Sequence, residues 1–324
     1  MLTVSRKELL SKLEPAARVA PTRTTKEILR WVRLTHDGER LTVVAWDGEV
    51  GIRLTLKCEG QPCDFLQPAQ HAVAVLKSVT SETVKIDHQA ERTHVTGNRE
   101  KFSFPVHPLT EWPTWEHSGE PFVIPSGLGQ AISRVRCAVS EGDSRYALTG
   151  VYLNAKTGHI AATNSVLLCV ETLPINGPDI DGVLPAKMAD AACRSLAGDV
   201  RVCMSKGGIE LTDGNATVFG RLVQGMFPKY GPVLESKGDA TVEITVGELL
   251  RVTRQAMLAS DLERQSIAIE MADGNLKVSS GSSDRGDSCV ETSVATDAKV
   301  RVDADGNFLS AMLAGLDPLE SVIW

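Results

Sequence analysis

The chain has 324 residues, of which 42% are hydrophobic and 23% are charged, and its formal net charge is −7. These values are typical of globular proteins of two or three domains, and no stretch has the length of an apolar membrane-spanning helix. The negative charge argues against a protein that binds DNA with its whole surface, because such proteins are usually basic.

Three segments of the chain open alike, with a short β-branched strand followed by the start of a helix. The expected helix caps are Ser5, Ser126 and Thr245, which lie about 120 residues apart. Glu8 and Glu248 complete a capping box in the first and third segments. In such a box the hydroxyl of the cap residue and the carboxylate of the glutamate each accept a hydrogen bond from a backbone N–H. The sequence therefore predicts three copies of one structural unit.

Each copy continues in the same order, with strands around a glycine turn, a second helix and further strands. In the first copy we predict strands over 41–46 and 50–56, a helix over 68–77, and strands over 84–87, 93–96 and 102–106. In the second we predict strands over 160–163 and 167–173, a helix over 185–194, and strands over 200–204, 209–212 and 217–223. In the third we predict strands over 276–279 and 289–294, a helix over 303–313, and a strand over 322–324.

The pattern predicts an α+β fold of three repeated modules, each with two helices packed on antiparallel sheets. The expected domains are 1–120, 121–238 and 239–324, and the third lacks the last strands of the other two. A shortened paralogue, a truncated reading frame and a partner that completes the sheet are all compatible with this. An unpaired sheet edge would be exposed there.

Several segments resemble one known family, the bacterial DNA polymerase III beta subunit, or sliding clamp. The similar segments are 138–140, 144–151 and 161–164, the stretch from Leu222 to Tyr230, and Arg23-Thr24-Thr25. The resemblance implies a head-to-tail homodimer whose six modules form a ring around duplex DNA, with helices lining the hole. A weakly basic bore would then suffice for DNA, so an acidic exterior is compatible with this function.

Basic residues recur at matching positions of the expected helices, and the resemblance adds a loop that contacts DNA in the family. The predicted DNA-binding residues are Arg23, Lys77, Arg134, Arg136, Arg145, Tyr146, Lys187, Arg194, Arg251 and Arg254. In the third module the second-helix register holds Leu313, so one basic site is missing. For any single residue the alternative is a solvated helix face.

The segment Met226-Phe227-Pro228-Lys229-Tyr230 resembles the wall of a cleft that binds short apolar peptides in the family. The peptides belong to polymerase, clamp loader and repair proteins. The implied cleft residues are Leu148, Thr163, Leu168, Pro228 and Val233. A simple packed linker is the alternative. The family's His-Arg pair under the cleft is replaced by Val166-Leu167, and its apolar C-terminal tail has no counterpart here, so we expect a reduced cleft.

The resemblance also implies contacts that close the ring. Met257 and Leu258 match an apolar pair at the dimer seam, and Phe102 and Phe104 lie on the expected facing strand. Ordinary core packing is the alternative for these residues.

The sequence offers little for catalysis, and we expect no enzyme activity, cofactor or metal. Cys58 and Cys63 are not spaced as in a zinc knuckle, and the chain has neither a phosphate-binding loop nor a nucleophile elbow. Seven dispersed cysteines and a charged N-terminus favour a cytoplasmic protein without a signal peptide. The alternative function is a clamp-like interaction module that neither encircles DNA nor binds the usual peptides.

Overall fold

The structure is a computed structural model, and it describes residues 1–142, 146–235, 241–261 and 263–323. Contacts divide the chain into two compact units. Unit 1 comprises Met1–Ile132, Ser140–Ala161 and Val170–Met226, and unit 2 comprises Ser133–Val139, Ala162–Cys169 and Phe227–Trp324. The three-domain boundaries expected from the sequence remain a prediction.

The first repeat contains eight strands that form its two sheets, two helices, and one short extra strand, Glu59–Gly60. In chain order they are β1 (Leu2–Ser5), α1 (Arg6–Val19), β2 (Trp31–His36), β3 (Arg40–Trp46), β4 (Val50–Lys57), β5 (Glu59–Gly60), β6 (Cys63–Pro68), α2 (Ala69–Ser78), β7 (Thr83–His88), β8 (Arg92–Thr96) and β9 (Lys101–Pro105).

The second repeat has the same succession of elements. They are β10 (Glu120–Ile124), α3 (Leu128–Val135), β11 (Gly150–Asn154), β12 (His159–Thr163), β13 (Leu168–Thr172), β14 (Asp181–Pro185), α4 (Ala186–Ser195), β15 (Val200–Ser205), β16 (Gly208–Thr212) and β17 (Ala216–Arg221), followed by the short helix α5 (Gly231–Glu235).

The third repeat is shorter. It comprises β18 (Glu243–Thr245), α6 (Val246–Ala256), β19 (Ser266–Ala272), β20 (Asn275–Ser282), β21 (Gly286–Ser293), β22 (Val300–Asp305), α7 (Gly306–Leu313) and β23 (Ser321–Ile323).

One strand order recurs three times and confirms the repeat. The orders are β4-β3-β2-β6, β13-β12-β11-β14 and β21-β20-β19-β22, and all pairs are antiparallel where their register is recorded. The other sheet runs β1-β7-β8-β9 in the first repeat and β10-β15-β16-β17 in the second. Within the described part of the third repeat it contains only β18 and β23. The expected α+β fold, with helices packed on antiparallel sheets, is therefore correct.

Two of the three first helices begin where their caps predict, whereas α3 begins at Leu128, two residues after the expected cap Ser126. Ser5 Oγ accepts a hydrogen bond from the backbone N–H of Glu8, and Thr245 Oγ1 accepts one from Glu248, each at 3.4 Å. Helix α1 continues through Pro15 to Val19, and its buried stripe packs on β3 and β4. Leu9 and Leu13 belong to that stripe. Local capping thus fixes the helix starts, and burial of one apolar face carries α1 past a residue that usually ends a helix.

The sequence-based helix over 303–313 is wrong at its start. Residues Val300–Asp305 form strand β22, which pairs with β19, and the helix begins only at Gly306. Asp305 Oδ1 caps it by accepting from the backbone N–H groups of Asn307 and Phe308. Asp303 of this strand is exposed and Asp305 is half-buried, so its composition does not resemble a buried strand.

Strands β4 and β17 join the first two repeats. They pair antiparallel from Val50 opposite Gly220 to Leu54 opposite Ala216, which produces one eight-stranded sheet, β10-β15-β16-β17-β4-β3-β2-β6. Helices α1 and α4 lie against this sheet. Continuous backbone hydrogen bonding therefore holds two repeats together in unit 1.

An aromatic cluster packs at this junction. Trp46 lies 5.2 Å from the Phe219 ring and 5.1 Å from Trp115, centroid to centroid, and Trp112 belongs to the same apolar group. Gly51 sits beneath it, where a Cβ atom would lie 2.4 Å from the Phe219 ring. The close approach of strand and ring therefore requires glycine at this position.

We predict that Gly51→Ala lowers the free energy of unfolding of unit 1 by about 1–3 kcal/mol, because the added methyl overpacks the Trp46–Phe219 contact. Urea unfolding followed by tryptophan fluorescence measures this, since Trp46 and Trp115 report from the same cluster. Gly207→Ala is the matched control, because nothing lies within 4 Å of its Cβ position. Its expected effect is below about 0.5 kcal/mol. Equal unfolding curves for the two variants would contradict the overpacking argument.

Candidate nucleic-acid and peptide interface

Helices α1, α2 and α4 carry basic side chains within unit 1. Lys77 Nζ on α2 lies 2.8 Å from Glu14 Oε1 on α1, and this hydrogen bond lowers the pKa of Glu14. Lys77 is exposed and Glu14 is half-buried at the surface, so the pair contributes little stability and does not prevent Lys77 from contacting a phosphate.

A groove of about 210 Å³ runs between α1 and α4, and its rim is basic. Arg18, Lys187 and Arg194 line it together with Asp190. Arg18 and Arg194 are exposed, and the tertiary fold brings them together from different repeats. Sequence reasoning missed Arg18, because Pro15 suggests that the helix ends before it. The i, i+4 spacing of Glu14 and Arg18 was the available signal.

Lys187 has structural partners. Its Nζ donates to the Val19 carbonyl at 2.7 Å and lies 2.5 Å from Asp47 Oδ2. Val19 and Asp47 belong to the first repeat, so this ion pair spans the junction of β4 and β17. The geometry favours an anchoring role for Lys187 over the phosphate contact expected from the sequence.

Helix α6 in unit 2 carries Arg251 and Arg254, and the two differ in their surroundings. The Arg251 guanidinium contacts both Glu248 oxygens, at 2.9 and 2.5 Å, and Gln255 Oε1 at 2.7 Å. Arg254 is exposed, and no ion pair involves it among the described residues. Arg254 is therefore the more available cation of this helix.

Of the five remaining predicted DNA-binding residues, three lie in other places of the described structure. Arg23 is exposed in the loop after α1, whereas Arg134 and Arg136 are half-buried at the end of α3 and in the 3-10 helix Arg136–Ala138. Arg145 and the side chain of Tyr146 lie outside the described residues.

The loop before β13 is held by side-chain hydrogen bonds. Thr163 Oγ1 donates to the Leu167 carbonyl at 2.7 Å, and Asn164 Oδ1 accepts from the N–H groups of Val166 and Leu167. Ser165 takes a positive φ of 78° inside this turn. These bonds fix the position of Leu168, which is half-buried at the start of β13.

The segment after β17 exposes apolar groups on a rigid support. Phe227 and Tyr230 pack edge to face with ring centroids 5.9 Å apart, and α5 begins directly after Tyr230. Pro228 is exposed, and Val233 is 62% exposed. Rigid apolar side chains that face water lose little entropy when a ligand covers them.

Four of the five predicted cleft residues belong to one compact unit. Unit 2 contains Thr163, Leu168, Pro228 and Val233, although about 60 residues of the chain separate Leu168 from Pro228. Leu148 belongs to unit 1 and is only 1% exposed. It therefore supports its surroundings from within the core and offers no surface to a ligand.

The residues expected at the dimer seam differ in exposure. Phe104 is 1% exposed and packs against His71, so its expected place on a facing surface is corrected to the core. Met257 packs against the third-repeat core beside Gly306. Phe102 is half-buried, and Leu258 is 76% exposed. Of these four residues, Phe102 and Leu258 therefore remain candidates for contacts at the dimer seam.

The described residues contain no group of three or more histidine, cysteine or acidic side chains arranged to hold a metal ion. None of the helices in the described part of the chain has the length and apolarity that a membrane span requires.

Comparison with known proteins decides the family. The model of the DNA polymerase III beta subunit, N-terminal domain, matches residues 1–116, and that of its central domain matches residues 123–229. The chain belongs to the DNA polymerase III beta subunit family. The resemblance drawn from the second repeat is thereby confirmed.

Relatives in this family cover most of the chain. The beta sliding clamp of Pseudomonas putida is 27% identical over 308 residues, which are 90% of this chain and 83% of that clamp. The beta sliding clamp homolog GriR of Streptomyces muensis is 26% identical over 297 residues, 87% of this chain and 79% of the homolog. The chain is also similar to the crystal structure of the DNA polymerase III subunit beta from Pseudomonas aeruginosa, with 25% sequence identity and a TM-score of 0.89. The superposition covers 100% of this chain and 92% of the Pseudomonas aeruginosa chain.

The pH dependence of the stability of the third repeat follows from Glu248. Arg251 and then Thr292 of β21 hydrogen-bond to its carboxylate and lower its pKa from 4.5 to about 2. Because the pKa in the folded state is depressed, this contribution to stability is present above pH 4.5 and declines as the pH falls towards 2.

We therefore predict that Glu248→Gln destabilises the protein at pH 6, and that the difference from wild type shrinks as the pH falls from 4.5 towards 2. Thermal unfolding at a series of pH values measures it. Glu263→Gln is the matched control, since Glu263 is exposed and pairs with no cation among the described residues. A pH-independent difference for Glu248→Gln would contradict the assignment.

Proposed function

We propose that this chain is a DNA sliding clamp, a head-to-tail homodimeric ring that encircles duplex DNA and tethers a replicative polymerase and repair proteins to it as a processivity factor. The observation that carries the proposal is the match of the first two repeats to the beta subunit domain models, with the same strand order in the third repeat. We propose no catalytic role and a cytoplasmic location.

The basic side chains support contact with DNA phosphates. Arg18 and Arg194 share the groove between α1 and α4, and Arg254 is exposed on α6. A sliding ring is held on DNA by topology, so it needs only a few weak phosphate contacts on its inner surface. The net charge of −7 is compatible with this, since the rest of the surface need not attract DNA.

The edge of the first repeat supports association with a second copy. Strand β9 pairs with β8 on one side only in the described part of the chain, so its outer N–H and C=O groups are available to a further strand. Phe102 lies on this strand. We propose that it faces Leu258 of the partner in the ring.

The exposed apolar residues of unit 2 support a peptide-binding cleft. We propose that Pro228 and Val233, which are exposed, form one wall of this cleft, and that Leu168 and the turn held by Thr163 form its floor. The ligands proposed are short apolar segments of the polymerase and the clamp loader. A clamp-like module that binds neither DNA nor such peptides is the alternative, and the family match does not favour it.

We predict that Arg18→Ala with Arg194→Ala weakens binding to duplex DNA and lowers the slope of log K against log salt by about 2, because each lost phosphate contact removes roughly 0.9 from the slope. Fluorescence anisotropy with labelled duplex over a salt series measures this. Arg201→Ala with Lys206→Ala is the matched control, since it removes two exposed charges from β15 and the turn after it.

Equal slopes for the two double variants would contradict the DNA-facing assignment of α1 and α4. Light scattering tests the ring separately. A strict monomer at micromolar concentration would contradict a closed homodimer.

We predict that Leu168→Ala with Pro228→Ala weakens the binding of a short apolar peptide by about tenfold or more, since truncation of buried apolar anchors costs over 1 kcal/mol each. Titration of a labelled peptide containing leucine and phenylalanine measures the affinity. Val123→Ala is the control, because Val123 is also exposed but lies on β10 in unit 1. An unchanged affinity in the double variant would place the peptide elsewhere.

A further inference from the structure

Two cysteines of unit 2 are close together. Cys137 Sγ lies 3.9 Å from Cys169 Sγ, and both side chains are partly exposed. Cys137 belongs to the 3-10 helix Arg136–Ala138, and Cys169 is the second residue of β13. A disulfide has an S–S distance of about 2.05 Å, so side-chain rotation together with a shift of the strand that carries Cys169 has to bring the sulfur atoms roughly 1.9 Å closer.

The surroundings of Cys137 favour its thiolate form. The hydrogen bond between the two sulfur atoms lowers the pKa of Cys137 to about 7, against the opposing effect of burial. Burial instead raises the pKa of Cys58 to about 11 and also raises those of Cys63 and Cys193. The thiolate is the reactive form of cysteine, so we assign Cys137 as the sulfur of the pair that attacks the oxidant.

We propose that Cys137 and Cys169 form a reversible oxidation site that takes peroxides and closes as an intramolecular disulfide. The Cys137 thiolate attacks one peroxide oxygen, the O–O bond breaks, and hydroxide leaves and takes up a proton. Cys169 sulfur then attacks the Cys137 sulfenic sulfur, the S–O bond breaks, and the second oxygen leaves as water with the Cys169 proton. Two thiols are oxidised while one peroxide is reduced to two waters, and a reduced thiol pool reverses the bond by exchange.

The position of this site connects it to the proposed cleft. Cys169 directly follows Leu168, and successive side chains of a strand point to opposite faces. Drawing Cys169 towards Cys137 therefore shifts the strand that carries Leu168. We expect the oxidised protein to bind the apolar peptide about tenfold more weakly. This second step rests on the proposed function, whereas the formation of the disulfide does not.

The test begins with the full-length wild-type chain, reduced and then treated with hydrogen peroxide. Intact mass should fall by two hydrogen atoms, and peptide mapping without reductant should show one crosslink, between the peptides containing Cys137 and Cys169. Dithiothreitol should remove it. Cys137→Ser and Cys169→Ser should each abolish the crosslink. Cys193→Ser is the control and should retain it, because Cys193 is a half-buried cysteine whose thiol donates a hydrogen bond to the Gly129 carbonyl.

A wild-type chain that gains oxygen at Cys137 without crosslinking, or that crosslinks another pair, overturns the proposal. A crosslinked protein whose peptide affinity equals that of the reduced form overturns the connection to the cleft. The reduced protein is titrated with the same peptide, so a failure of the proposed function is seen separately from a failure of the thiol pair.

Discussion

The pairing of β4 with β17 is the contact on which unit 1 depends. It converts two four-stranded halves into one eight-stranded sheet, so the first two repeats share backbone hydrogen bonds as well as side-chain packing. The Lys187–Asp47 ion pair and the Trp46–Phe219 contact lie at the same junction. A junction of this kind holds the two halves in one fixed orientation, because neither half can rotate without breaking the ladder of backbone hydrogen bonds between β4 and β17. The groove between α1 and α4 exists only because this ladder holds the two helices side by side.

The two functional surfaces are built in different ways. The basic groove of unit 1 takes one arginine from each of two repeats, and neither arginine needs a special local conformation. The apolar surface of unit 2 depends on local geometry: the turn held by Thr163 and Asn164, and the edge-to-face contact of Phe227 with Tyr230. A sliding contact with DNA tolerates loosely placed charges, whereas an apolar pocket needs side chains held in place before the ligand arrives.

Burial separates the predicted residues that can meet a partner from those that cannot. Phe104 and Leu148 have the residue type of an interface but lie in the core, whereas Leu258 and Pro228 are exposed. The family resemblance assigned them by position in the chain, and position does not reveal which face of a strand or turn is covered. The Cys137–Cys169 pair shows the converse. Nothing in the spacing of two cysteines 32 residues apart indicated a contact, and only the tertiary structure brings their sulfur atoms together.

The repeat, the α+β class and the helix starts at Ser5 and Thr245 could be predicted from the amino-acid sequence. These features follow from local signals, since caps, glycine turns and alternating strands act over a few residues. Other features could be seen only in the three-dimensional structure. They are the β4–β17 junction, the strand formed by Val300–Asp305, the anchoring of Lys187 and the exposure of each candidate site residue. These depend on contacts between residues far apart in the chain, whose free energy appears only when the sheets have formed and the apolar faces are covered.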